Sequence, residues 1–247
     1  MTVQGDKSTR GRTGAAVTPS RDAAKLRGYL GDGPRRGRTT ELVTNALREA
    51  ILDGAIGPST WIREDELATV FEVSRTPVRE ALRLLADEGL VAKTANQGAV
   101  VAPLSMEDIL ALYVVRENLE GLAARLAATR RPDGLVERLE AVNEELVQAA
   151  GTGDLVLMVR LNLVFHREIR IAAGNGYLDR FLGQVEHAVR RLPSSTFAQP
   201  ERRMAALEEH RTIIAAIAAG ERDAAQQAAQ LHMRQARATR INDLIGD

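Results

Sequence analysis

Between residues 73 and 102 the chain changes its hydrophobic period, and that change limits the fold more than any other feature. The segment VSRTPVREALRLLADEGL (73–90) carries a helical stripe at Val78, Ala81, Leu82 and Leu85. Ser74 stands where an N-cap belongs, and Pro77 falls in the first turn, where its missing N–H costs nothing. Gly89 stops the run. Then LVAKTANQGAVVAPL breaks the period. Leu90–Lys93 and Ala99–Ala102 read as short strands around ANQG, with Gly98 supplying a positive φ.

Upstream, TELVTNALREAILDGAIG holds a helical stripe ending near Gly54, and GPST makes a turn. A short extended piece follows at Trp61–Ile62, then a second helix of about eight residues and the three-residue turn EVS. Two short helices across a tight turn, preceded by a longer helix and followed by a hairpin, predict a winged helix-turn-helix over residues 39–104. Residues 1–38, rich in Gly, Arg, Ser and Thr, read as a disordered basic tail. PLSMED marks the next boundary, where Ser105 and Asp108 form a capping-box signature. Beyond it the strand signal ends. Helices are expected over about 105–130, 132–150, 154–173, 176–192, 200–219 and 222–244, broken by RRPDG, GTGD, GNG, LPSSTFAQP and AGERD. The whole chain is thus expected to be mainly α, with residues 105–247 an antiparallel all-α bundle of about six helices.

Charge is spread unevenly over a chain whose formal net charge is zero. Residues 1–38 hold nine Lys/Arg against three Asp/Glu, whereas residues 39–104 hold six against ten. Non-specific DNA affinity depends on phosphate neutralisation, so a DNA-binding reading must rest on where arginines point. Zero cysteines exclude disulfides, thiolate catalysis and Cys-based zinc sites, and suit the reducing cytoplasm, the expected compartment. No apolar run approaches the roughly 20 residues of a membrane span, and the polar N-terminus lacks a signal-peptide core.

Arg75, Arg79 and Arg83 recur every fourth residue. On an isolated helix that spacing is an ordinary solvated face paired with Glu80, Asp87 or Glu88. In a helix-turn-helix the third helix enters the major groove by its N-terminal end, which puts Arg75, Thr76 and Arg79 forward and leaves Arg83 as support. The planar guanidinium fork matches guanine O6 and N7, or a phosphate.

In the second region, LNLVFHREI places Asn162 and His166 four apart on one helix face. His210 lies about ten residues before the turn at Gly220–Glu221 and His232 about eleven after it, so an antiparallel pair holds them level. Three imidazoles and a carboxamide can therefore converge inside the bundle as a metal site. The alternative is that each histidine is solvent-exposed or a hydrogen-bonded spacer. Arg116 can pair with Glu120 one turn on. His187 reads as structural or exposed, with a pocket role as the alternative.

The string LREAILDGAIGP…IREDELATVFEVSRTPVREALRLLADEGLV…NQGAVVAP resembles the N-terminal domain of the GntR family of bacterial transcription regulators. That resemblance implies contacts to operator DNA from Arg75, Thr76 and Arg79, and a wing tip at Gln97 and Gly98 in the minor groove. Asp65 departs from the family, many of whose members carry arginine there. VRENLEGLAARLAA, FHREIRIAAGN and EEHRTIIAAIAAGERDAAQQAAQLHM are similar to the FCD domain, the C-terminal partner in the FadR-like subfamily. The FCD resemblance implies a divalent metal of the Zn, Ni or Mn kind held by Asn162, His166, His210 and His232, with Arg116 near an effector pocket. Asn162 stands where the family has aspartate, so the ligand set is neutral and favours an anionic effector.

The expected function is a homodimeric, DNA-binding regulator, of the repressor kind, that binds a double-stranded operator and is modulated by a small carboxylate metabolite. Two alternatives are a regulator with a purely structural, dimerising bundle, and a metalloenzyme using the histidines. Against the enzyme, no Glu or Asp is identifiable beside the ligands as a general base.

Overall fold

Local signals decide the element ends. In the computed structural model, which describes residues 26–30, 38–94, 98–192 and 196–245, the chain is mainly helical with one small sheet. It divides into two compact units, with the principal break between Val101 and Ala102.

The first unit contains α1 (Thr39–Leu52), β1 (Trp61–Ile62), α2 (Glu64–Phe71), α3 (Arg75–Asp87), β2 (Val91–Thr94) and β3 (Gly98–Val101). β3 lies between β1 and β2 and is antiparallel to both, with Ala92 opposite Val100 and Ile62 opposite Ala99. Glu72 takes a left-handed conformation that ends α2 and turns the chain into α3. Ser74 is the N-cap residue of α3 by position, although its side chain makes no capping bond. Val78, Ala81, Leu82 and Leu85 are buried as the stripe predicts, and Val43, Leu47, Leu67, Val70 and Phe71 are buried in the same unit.

Gly98 begins β3 at φ 125°, and an added Cβ there would lie 2.0 Å from the Ile62 carbonyl oxygen. It is also buried. Glycine is therefore required here by the fold itself, because β1 passes against it. Gln97 lies outside the described residues.

The basic tail, expected to be mostly disordered, contains one short ordered stretch. A 3₁₀ turn at Arg27–Tyr29 sits between buried Leu26 and Leu30. Arg27 donates to the Val70 carbonyl at 2.8 Å and pairs with Glu72 at 2.7 Å, fastening the turn to the end of α2. An apolar pair four apart, too short to show a period, is what anchors it. Residues 1–25 and 31–37 lie outside the described residues.

The second unit contains α4 (Met106–Arg130), α5 (Leu135–Thr152), α6 (Leu155–Ala172), α7 (Gly176–Arg190), α8 (Pro200–Ala219) and α9 (Arg222–Ile245). Ser105 and Asp108 form the reciprocal capping box at the start of α4, and Asp154 and Asn175 cap α6 and α7. α9 packs against α4 and α8, while α5 packs against α6 and α8. The core joins Leu135, Leu139, Phe165, Ile169, Leu182, Ile213 and Ile217. Alanines dominate the buried face of α4, so neighbouring helices approach closely and leave its few buried polar groups in contact with theirs.

Candidate functional site

Two groups of residues carry chemistry, one in each unit. In the first unit the turn of Glu72–Ser74 presents the N-terminal end of α3 to solvent. Arg75, Thr76 and Arg79 are all exposed, as a reading surface requires. Each arginine meets an acid from the preceding helix. Arg79 donates from Nε and Nη2 to Glu64 at 2.9–3.3 Å, and Arg75 Nη2 lies 3.9 Å from Asp65. Arg83 instead pairs along its own helix with Glu80 at 2.7 Å and Asp87 at 2.9 Å. Pairing along the helix with Glu80 or Asp87 is thus found for Arg83 only, while Arg75 and Arg79 meet Asp65 and Glu64 across the turn.

In the second unit the level placement of His210 and His232 holds. α8 and α9 set their rings 4.7 Å apart, centroid to centroid, and α6 brings His166 to 5.6 Å and 5.3 Å from them. One nitrogen of each ring falls within 4.8 Å of the others. His210 and His232 are fully enclosed, and burial pushes both well below the usual imidazole range. Neutral imidazole is the ligating form.

The hydrogen-bond accounts of these groups are incomplete in one direction. His166 Nε2, both nitrogens of His210 and Asn162 Oδ1 are buried without a hydrogen-bond partner. Buried polar atoms are nearly always satisfied, and a cation would relieve three of these orphans, one from each residue, the second His210 nitrogen carrying the ring proton. The donor set, three imidazoles and a carboxamide, fits a borderline divalent ion.

The other nitrogens are held from outside. Glu209, on α8, approaches His232 Nδ1 at 2.5 Å and is gripped by both terminal nitrogens of Arg202 at 2.7 and 2.8 Å. Glu120, on α4, lies 3.4 Å from His166 Nδ1 and 3.4 Å from Arg116 Nε. Burial opposes ionisation of Glu120, but the neighbouring His166 ring and Arg116 outweigh it and hold its carboxyl at about 2. Burial pushes the Glu209 carboxyl up, against the pull of Arg202. Such outer carboxylates fix a ligand's tautomer and turn its free nitrogen inward.

Glu120 and Glu209 are acids beside the histidines that the histidine spacing does not single out, and each is tied to an arginine. The sequence carries a local signal for both: Glu120 is one turn from Arg116, and Glu209 directly precedes His210. Of the two readings of Arg116, the structure realises the pair with Glu120, both being buried. Arg116 still borders a cavity shared with Tyr113, Asn162, Leu163 and Arg240. His187 is not brought into the cluster.

Comparisons with known proteins agree on both units. Residues 39–101 match the family described as bacterial regulatory proteins, gntR family, and residues 111–235 match the FCD domain. The chain is 31% identical to the HTH-type transcriptional regulator YdhC of Bacillus subtilis, over 76% of this chain and 84% of that one. It is 32% identical to the gluconate operon transcriptional repressor of Bacillus subtilis, over 55% of this chain and 56% of that protein. Among solved structures, McbR/YncC of E. coli superposes with a TM-score of 0.71 over 83% of this chain and 98% of that one, at 22% identity, a likeness of fold. No described helix is long and apolar enough to cross a membrane.

Proposed function

The chain belongs to the GntR family of bacterial regulatory proteins and carries an FCD domain, so it is a DNA-binding transcription regulator, and we propose that it represses an operator as a homodimer under control of a small carboxylate metabolite. Arg75, Thr76 and Arg79 are the proposed reading residues, because they are the exposed hydrogen-bond donors in the leading turns of α3. One such helix reads only a half-site, so a symmetric operator calls for two copies. The gluconate relative, named a repressor, supports that direction of control.

The observation that carries the effector reading is the set of unpartnered buried atoms on Asn162, His166 and His210 beside the free edge of His232. Those four residues would hold a divalent cation, and a bound ion would supply a fixed positive charge at the cavity. The charges already present do not neutralise it. Glu120 is matched by Arg116 and Glu209 by Arg202, while all four ligands are neutral. A carboxylate completing the site is the electrostatic complement. Control then requires that the effector bind one arrangement of the homodimer better than another.

Metal analysis of the purified protein with a titration of small mono- and dicarboxylates against DNA binding tests this reading. Expected are one divalent ion per chain and release of DNA by at least one carboxylate. A metal-free protein that ignores added Zn²⁺, Ni²⁺ and Mn²⁺ would return the bundle to a structural role.

A further inference from the structure

Residues 39–104 carry more acid than base, an odd balance for a surface that meets phosphates. The first turn of α2 concentrates three of those acids, Glu64, Asp65 and Glu66. Favourable interaction with the helix dipole accounts for acids in such a turn generally. It does not account for where Glu64 reaches. Its carboxylate takes Nε and Nη2 of Arg79, on the following helix, in three contacts of 2.9–3.3 Å. Glu64 is the fixed member of the pair, its side chain 14% exposed against 63% for Arg79. Asp65 and Arg75 repeat the arrangement more loosely, at 3.9 Å.

A guanidinium has five donor hydrogens in a rigid plane. With Glu64 on the Nε side, the hydrogens of Nη1 and the second hydrogen of Nη2 remain, and they form the end-on fork that fits guanine O6 and N7. Base edges are uncharged acceptors and tolerate the neighbouring carboxylate. Phosphates do not, since Glu64 cancels the charge that would attract them.

We propose that Glu64 is a specificity-determining positioning residue, which holds Arg79 for base edges and withholds its charge from phosphates. Asp65 does the same to Arg75 in weaker form. This rests on Arg79 being a reading residue, and the experiment separates the two claims.

The full chain is titrated with two duplexes of equal length across a salt series. One carries a site selected by the wild-type protein from a random pool, the other a scrambled sequence. Glu64→Gln should weaken the selected duplex about tenfold and tighten the scrambled one severalfold. Freeing one arginine for phosphate should steepen the scrambled duplex's slope of log K against log salt by about 0.9. Glu64→Asp, which keeps the charge, should retain most of the discrimination. In an Arg79→Ala background, Glu64→Gln should leave the selected duplex unaffected further. The proposal fails if Glu64→Gln lowers both affinities together or neither, if its effect survives the Arg79→Ala background, or if Glu66→Gln reproduces it. Should Arg79→Ala alone bind the selected duplex like wild type, Arg79 is no reader and the proposal falls with that assignment. Equal melting temperatures confirm that each variant is folded.

Discussion

Glu209 stands between Arg202 and His232, accepting two hydrogen bonds from the guanidinium at 2.7 and 2.8 Å and meeting the imidazole Nδ1 at 2.5 Å. With that nitrogen occupied, Nε2 of His232 is the one left for a ligand. Replacing Glu209 by glutamine keeps the shape but surrenders the charge-assisted bonds. Loss of an outer-shell partner of this kind lowers metal affinity about 10- to 100-fold. Zn²⁺ titration should show that loss in Glu209→Gln with the far-UV spectrum unchanged. Unaltered affinity would mean His232 is not a ligand or needs no orientation.

His166→Ala and His210→Ala separate the effector reading from a structural bundle. Each removes a residue with an unpartnered buried nitrogen. Both variants should lose the thermal stabilisation by Zn²⁺ and the response of DNA binding to carboxylate, while the metal-free protein's affinity for operator stays within about threefold of wild type. A full effector response in both variants would refute the site. For scale, ligand present at 100 times its dissociation constant stabilises by about 2.7 kcal/mol, which sets the size of the shift to be lost.

The metal-free helical unit should be acid-sensitive in a defined window. His210 and His232 have folded values well below 6.5, because burial disfavours the imidazolium. Below pH 6.5 the unfolded chain therefore takes up protons that the folded one refuses, and stability falls as pH falls. Each histidine contributes a slope of up to about 1.4 kcal/mol per pH unit. Glu120, held at about 2 against an ordinary 4.5, adds a second loss between those values. Denaturant melts from pH 7.5 to 4 should show the slope in apo protein. Bound Zn²⁺ should flatten it until ligand protonation expels the ion. A flat apo profile between pH 6.5 and 5 would contradict the burial of these rings.

Much of this was legible in the sequence, and the reason is locality. Helix ends follow from Ser105 with Asp108, Asp154, Asn175 and Gly220, whose capping geometry depends on a few neighbouring residues. The level pairing of His210 and His232 follows from counting away from one turn. What stayed hidden depends on which face of a helix a charge takes. α4 is enclosed on several sides, so Arg116 and Glu120 are buried where charged residues are expected to point outward. Glu64 and Arg79 sit fifteen residues apart on different helices, and no spacing rule joins them. Gly98 looked like a turn residue because glycine serves turns and close approaches alike.

Gly98→Ala tests the second of those roles. Its Cβ would fall against the Ile62 carbonyl in a backbone conformation that side chains rarely adopt. Relief requires moving β1 or β3, at a cost of about 1–3 kcal/mol or more. The melting temperature of the winged unit should drop, with operator affinity following the folded fraction. An alanine variant of wild-type stability but weakened DNA binding would instead mark Gly98 as a wing-tip contact.

Asn162→Asp is the sharpest probe of how charge is balanced at the cluster. Asn162 Oδ1 is buried and unpartnered, and its position four residues before His166 puts it on the ring's side of α6. Aspartate there supplies an anionic oxygen to a site whose other ligands are neutral and whose outer acids are already matched by arginines. Zn²⁺ should bind at least tenfold tighter, because a carboxylate is a stronger, charged ligand than a carboxamide. The carboxylate effector should bind more weakly, since one of the two positive charges it answers is now met by the protein. In metal-free protein the order reverses: a buried carboxylate without a cation is costly, so the apo variant should melt lower than wild type. Tighter metal with unchanged effector affinity would uncouple the two and place the effector's anion on Arg116 alone.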